Sequence, residues 1–221
     1  MRFRRVVGFI AALGVAASCG MVWAAEQDLS VNARLLLAAR NGDAAGLDRA
    51  LAAGASVNAR NRLGETVLII ALKKNDLALA TRMLDLNADV NQPAVNGVTP
   101  LMAAAFGGHT AIAAALLAKG AAIPPLDRLN KNAMIYAAGA GSTEIVRMLL
   151  DKGVDPNAVY ANDLTALMWA AGFGKTATVK ALLDAGARAD ARDNRGKTAL
   201  DMAREGKFDD TARLMEARGP G

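Results

Sequence analysis

The stretch GVTPLMAAAFGGHTAIAAALLAKG, residues 97–120, decides the fold of this chain. Gly97 permits a positive φ in a tight turn. Thr99 can accept a hydrogen bond from the free N–H groups that open a helix. Pro100 then falls in the first turn, where its missing N–H removes no bond. Leu101, Ala104 and Ala105 stand at i, i+3 and i+4, one face of a short helix. Gly107-Gly108 ends it. A second helix is predicted from about Thr110 to Lys119, with Ile112, Ala115 and Leu116 on one face and Gly120 as its stop.

The pattern returns every 33 residues. Ala33, Thr66, Thr99, Asn132, Thr165 and Thr198 are in register; Gly54, Asn87, Gly120, Gly153 and Gly186 follow the first five by 21 residues. Leu51, Leu84, Leu117, Leu150 and Leu183 each stand three before those stops. Such a period marks a solenoid of stacked supersecondary units, here an all-α one of helix–turn–helix modules. Neither helix is long enough to be stable alone in water, so each apolar face needs a neighbour. Units that touch only their neighbours make an extended surface rather than a deep pocket, which points to binding rather than chemistry.

Thr99-Pro100-Leu101, Gly108-His109, Leu116-Leu117-Ala118-Lys119-Gly120, Gly54-Ala55-Ser56-Val57-Asn58, Asn87-Ala88-Asp89-Val90-Asn91 and Gly153-Val154-Asp155-Pro156-Asn157 resemble ankyrin repeats. The resemblance implies helix pairs joined by projecting β-hairpin loops and stacked with an L-shaped section. It also implies protein–protein recognition without catalysis. It covers about residues 32–219, the repeat domain; a leader (1–24, signal peptide or anchor) and a linker (25–31) precede it. The domain holds about six units: a first unit at 32–60, then 61–93, 94–126, 127–159 and 160–192, and a closing unit at 193–219. Asn32 to Asn41 lacks the Gly-x-Thr turn, as suits a first unit. The last helix carries Asp209, Asp210, Arg213, Glu216 and Arg218, the polar outer face that a solenoid end needs.

Some positions depart from the family. Its turn-bridging histidine is absent: Ile69, Met102, Ile135, Met168 and Asp201 stand there, so apolar packing is expected to replace the polar link in four units. Pro124 and Pro125 fall where asparagine belongs, which predicts a distorted or unpaired hairpin. Asn130 for glycine and Asn132 for threonine are conservative, because asparagine tolerates positive φ and caps helices.

The resemblance places partner binding on the concave face, built from hairpin tips and the exposed sides of the first helices. Five of the six aromatics after residue 24 go there: Phe106, Tyr136, Tyr160, Trp169 and Phe173. Aromatic side chains anchor interfaces by contributing large contact area at low entropic cost. Burial between neighbouring first helices is the alternative for each. Arg60, Arg62, Lys73 and Lys74 sit near the second unit's tip and first helix. Lys131, Arg192, Arg195 and Lys197 line later turns, with Asp127, Asp163 and Asp193 interleaved; together these read as a solvated rim that steers association, with an acidic-partner site as the alternative. The expected partner-binding set is the five aromatics with Arg62, Lys73 and Lys74.

The formal charge is +5, but Arg2, Arg4 and Arg5 lie in the leader, and without residues 1–24 there are 23 basic against 21 acidic residues. The remaining charges alternate in sign, so nucleic acid is not an expected partner. Residues 6–25 carry no charge, and Val22-Trp23-Ala24 offers small residues for cleavage after Ala24. This reads as an export signal and places the protein in a bacterial periplasm. Two alternatives stand: an uncleaved anchor, since 20 apolar residues can just span a bilayer, and lipidation at Cys19, whose preceding Val15-Ala16-Ala17-Ser18 loosely resembles a lipoprotein site. Either would make the protein a membrane-tethered adaptor.

Chemistry is sparsely provided for. Cys19 is the only cysteine, so without the leader a zinc site would rest on carboxylates; His109, the only histidine, reads as a structural helix-start residue in the Gly-His phrase, which leaves no base for a Ser-His-Asp triad. Asp209-Asp210 reads as a solvated helix face. The expectation is a non-enzyme without cofactors that binds another protein as scaffold, inhibitor or accessory factor. A carrier or enzyme using the aromatic cluster is the alternative, and would show an enclosed pocket at Tyr136, Trp169 and Phe173.

Overall fold

The computed structural model describes residues 29–218. The leader with Cys19, the start of the linker and Gly219 lie outside the described residues. Within them, twelve α-helices follow one another in pairs: α1 Val31–Asn41 and α2 Ala44–Ala52; α3 Val67–Lys73 and α4 Leu77–Asp85; α5 Pro100–Gly107 and α6 Thr110–Ala118; α7 Ala133–Ala140 and α8 Thr143–Asp151; α9 Ala166–Gly172 and α10 Thr176–Asp184; α11 Ala199–Glu205 and α12 Asp209–Arg218. Odd-numbered helices pack side by side in an inner row from α1 to α11, and even-numbered helices form an outer row from α4 to α12.

The period explains the packing. Leu35, Leu68, Leu101, Met134 and Leu167 recur at one position and are fully buried along the inner row. Met83, Leu116, Leu149, Leu182 and Met215 do the same in the outer row. Ala38, Ala71, Ala104, Ala137, Ala170 and Ala203, also 33 apart, are buried, and Ala38 lies against Gly46 of its paired second helix. Their small side chains let short helices approach closely. One continuous apolar cluster results, from Leu35 to Met215.

Helix starts follow the repeated cap. The side chains of Thr66, Thr99, Asn132, Thr165 and Thr198 accept N–H bonds from Ile69, Met102, Ile135, Met168 and Asp201 at 3.1–3.4 Å. Ile69, Met102, Ile135 and Met168 are buried. In α11, Asp201 supplies a polar link instead, accepting from the Thr198 N–H at 2.9 Å and its hydroxyl at 2.8 Å. In the first unit Ser30 caps α1 by accepting from Ala33 N–H at 3.2 Å, so this helix starts at Val31. With no preceding turn to constrain it, the chain uses the nearest serine.

The tips are tight turns rather than extended strands. Gly64, Gly97, Asn130, Asp163 and Gly196 share one position and all have positive φ, between 56° and 85°. Each donates its N–H three residues back, to Asn61, Ala94, Asp127, Tyr160 and Asp193. Among the described residues only Arg60 and Thr66 form a β-bridge. Neighbouring tips are tied by backbone bonds from Val95 to Leu63, Arg128 to Asn96 and Asn194 to Asn162, at 2.8, 2.9 and 3.1 Å. The equivalent bond from Ala161 to Leu129 is absent from the described residues; Ala161–Asp163 instead forms a 3₁₀ turn.

Below the tips, asparagines tie unit to unit. Asn58, Asn91 and Asn157 accept the N–H of Asp89, Ala122 and Arg188, each at 2.8 Å. Pro124 stands at the same repeat position between Asn91 and Asn157 and has no acceptor side chain, so the ladder is interrupted between the third and fourth units.

Candidate functional site on the concave face

Tyr136 on α7 and Trp169 on α9 hold the same repeat position on adjacent inner helices. Both are half-buried, their inner edges packed on the core. Phe106 near the end of α5 and Phe173 just past α9 are 66% and 52% exposed. The Phe106 ring meets Tyr136 edge-on, with centroids 6.0 Å apart and planes at 85°. Trp169 stacks on Phe173 at 5.7 Å and 13°. Lys131, from the tip of the fourth unit, joins the two pairs: its Nζ lies 4.4 Å from the Trp169 ring centroid and 5.9 Å from that of Tyr136. A cation over an aromatic face is attracted by the ring quadrupole. The result is an open aromatic shelf across units three to five rather than an enclosed pocket.

Asp127 holds this shelf in place. One carboxylate oxygen accepts the N–H groups of Leu129 and Lys131 at 2.8 and 2.9 Å; the other accepts the Tyr136 hydroxyl at 2.6 Å. Burial, then the bond and charge of Asp127, push the Tyr136 phenol up to about 12. Asp127 and Asp193 are buried and do not belong to the solvated rim. Each folds its own tip, Asp193 by accepting from Arg195 and Lys197 N–H at 2.9 Å. Asn61 does the same in the second unit, accepting from Leu63 and Glu65 N–H. Asp163 is exposed, at the left-handed position of its turn.

Tyr160 is placed differently from the other four aromatics. It is half-buried, and its hydroxyl accepts from the Asn132 amide at 3.2 Å, tying the cap of α7 to the next tip. Burial raises its phenol, the Asn132 bond opposes this, and Asp155 raises it further, for a net upward shift. Arg62, Lys73 and Lys74 stand together elsewhere on the concave side, lining a groove of about 930 Å³ between α1, α3 and the tip at Gly64. Lys73 pairs with Glu65 at 2.6 Å, and Lys74 donates to the Arg40 carbonyl.

His109 is buried, with Nε2 3.1 Å from the Leu72 carbonyl of the preceding unit. Ser142 takes the same place 33 residues on, donating to the Ala105 carbonyl at 2.8 Å. The histidine is thus a strut between units. Among the described residues, no three His, Cys, Asp or Glu side chains converge as a metal set, and no helix is long and apolar enough to cross a membrane. Sequence reasoning missed the shelf roles of Lys131 and Asp127. The recurrence of Asp127 and Asp193 at one repeat position, 66 residues apart, was the available signal for the second.

The inner and outer helix rows, the capped turns and the open concave face define a repeat-built recognition module. The family described as Ankyrin repeats (3 copies) matches residues 35–125, 74–160 and 134–219, and the chain belongs to the ankyrin repeat family. It is similar to a solved structure, the crystal structure of the ankyrin repeat protein EF0377, with 30% identity and a TM-score of 0.72 over 85% of this chain and 98% of that one. No curated protein matches the sequence. Ankyrin repeats are in general protein–protein interaction modules, and the fold is typically a non-catalytic scaffold.

Proposed function

We propose that this chain is an exported scaffold, inhibitor or accessory factor that binds another protein through its concave face, with the shelf of Phe106, Tyr136, Trp169 and Phe173 as the anchor. The observation that carries this reading is the pairing of two half-buried aromatics with two exposed ones on successive units. The inner members fix the outer ones, so a large apolar contact is presented with little rotamer freedom left to lose. Hot spots have this character. The charged start and uncharged residues 6–25 support export to the periplasm. Intact mass of the exported protein checks this: a chain starting at Ala25 without lipid supports it, whereas a retained leader or a lipidated Cys19 points to tethering.

The test of the shelf uses the exposed pair. Phe106→Ala/Phe173→Ala leaves the thermal midpoint close to wild type and weakens binding of the protein captured by the wild-type chain roughly tenfold or more. Undiminished binding at full folded fraction rejects the shelf as the anchor.

A further inference from the structure

We infer that the groove at units one and two binds an acidic peptide segment with an apolar centre, supplied by the protein partner. This rests on the concave-face reading above but concerns a separate surface.

The groove is lined by five basic side chains (Arg40, Arg60, Arg62, Lys73 and Lys74) and one acidic one, Glu65. Glu65 is already engaged: it accepts from Lys73 at 2.6 Å and from the Asn61 amide at 2.8 Å. Burial pushes its carboxyl up, but these bonds and the charges of Lys73 and Arg40 outweigh that and hold it below the usual range. The other four cations have no carboxylate partner among the described residues. Arg60 bonds the carbonyls of Gly64 and Pro93, and Lys74 that of Arg40. Among the described residues, most of the groove's positive charge is therefore uncompensated.

Its floor and edges are apolar. Leu36, Leu37 and Ile70 line it, and Leu63 at its edge is 62% exposed. Like-signed charges over a low-dielectric floor focus a positive potential into the groove. A ligand that satisfies both features carries carboxylates around one or two leucine- or phenylalanine-like side chains. No aromatic side chain lines this groove, so it lacks the stacking platform on which single-stranded nucleic acid is held.

The test is selection of a random peptide library on the full chain, followed by anisotropy with a labelled selected peptide. The expected pool is enriched in Asp and Glu flanking Leu, Ile or Phe, and binding weakens roughly tenfold or more between about 0.05 and 0.5 M salt. Arg40→Gln/Arg62→Gln/Lys74→Gln lowers affinity roughly tenfold or more at an unchanged thermal midpoint. Arg62→Glu is rescued by a peptide whose acid is replaced by lysine. A pool without acidic enrichment, affinity unaffected by the triple variant, or heparin or polyglutamate binding as tightly as the selected peptide each overturns the inference. So does a dimer of the wild-type chain that the triple variant dissolves, since the occupant is then a second copy. Phe106→Ala/Phe173→Ala is expected to leave peptide binding intact. If that variant also leaves partner capture unchanged, the shelf reading fails while the groove reading stands.

Discussion

A single carboxylate, Asp127, serves three groups at once: two backbone N–H donors of its turn and the hydroxyl of Tyr136. Removing a buried acceptor leaves its donors unsatisfied, so Asp127→Ala is expected to cost about 1–3 kcal/mol by denaturant unfolding. It also frees the tip that carries Lys131, and shelf binding falls with it. The same arrangement sets a pH dependence. The Tyr136 phenol, held at about 12 against its ordinary 10, favours the folded state only while protonated. Its contribution is complete below pH 10 and is lost as pH rises through 12. Absorbance titration of tyrosinate should therefore show Tyr136 ionising late, and Tyr136→Phe should flatten the alkaline decline in stability. Tyr136 was legible in the sequence as a concave-face candidate because the period puts it in register with Trp169. Its bond to Asp127 was not, since the two sit nine residues apart across a turn whose closure only the folded tip determines.

At the scale of the element, the repeated cap carries most of what could be read in advance. Thr66, Thr99, Asn132, Thr165 and Thr198 each precede a helix in the structure, because a short side-chain acceptor there satisfies a donor that the helix itself cannot. Thr165→Ala is expected to lose about 1 kcal/mol, seen as a lower unfolding midpoint. The start of α1 was not legible: no turn phrase precedes it, and Ser30 serves as its cap. The asparagine ladder allows the opposite experiment. Pro124→Asn places an acceptor where the Asp155 N–H has none, and should add roughly 0.5–1 kcal/mol of stability. Asn91→Ala should subtract a similar amount per bond, since its amide serves Ala122 N–H and the Gly120 carbonyl.

Across the whole molecule, stability is a sum of unit and interface contributions, because each pair of helices touches only the pairs beside it. Deleting residues 193–221 strips the cover formed by Ala199, Ala203, Ala212 and Met215, all buried. The thermal midpoint should then fall by more than about 5 °C, while hydrogen exchange remains slowest in α5 to α8. The array was legible as a whole because a strict period repeats one solution. The basic groove was legible only in part: Arg60, Arg62, Lys73 and Lys74 stood out, but Arg40 belongs to no motif and approaches the tip at Gly64 only once the first two units stack. The missing tie between Leu129 and Ala161 has its own consequence. Fingers three and four are clasped, as are five and six, but four and five are not, and Lys131 reaches across that gap to Trp169. The seam under the aromatic grip is therefore sewn by side chains, through Asn132–Tyr160 and Asn157–Arg188, where its neighbours also have a backbone clasp at the tips.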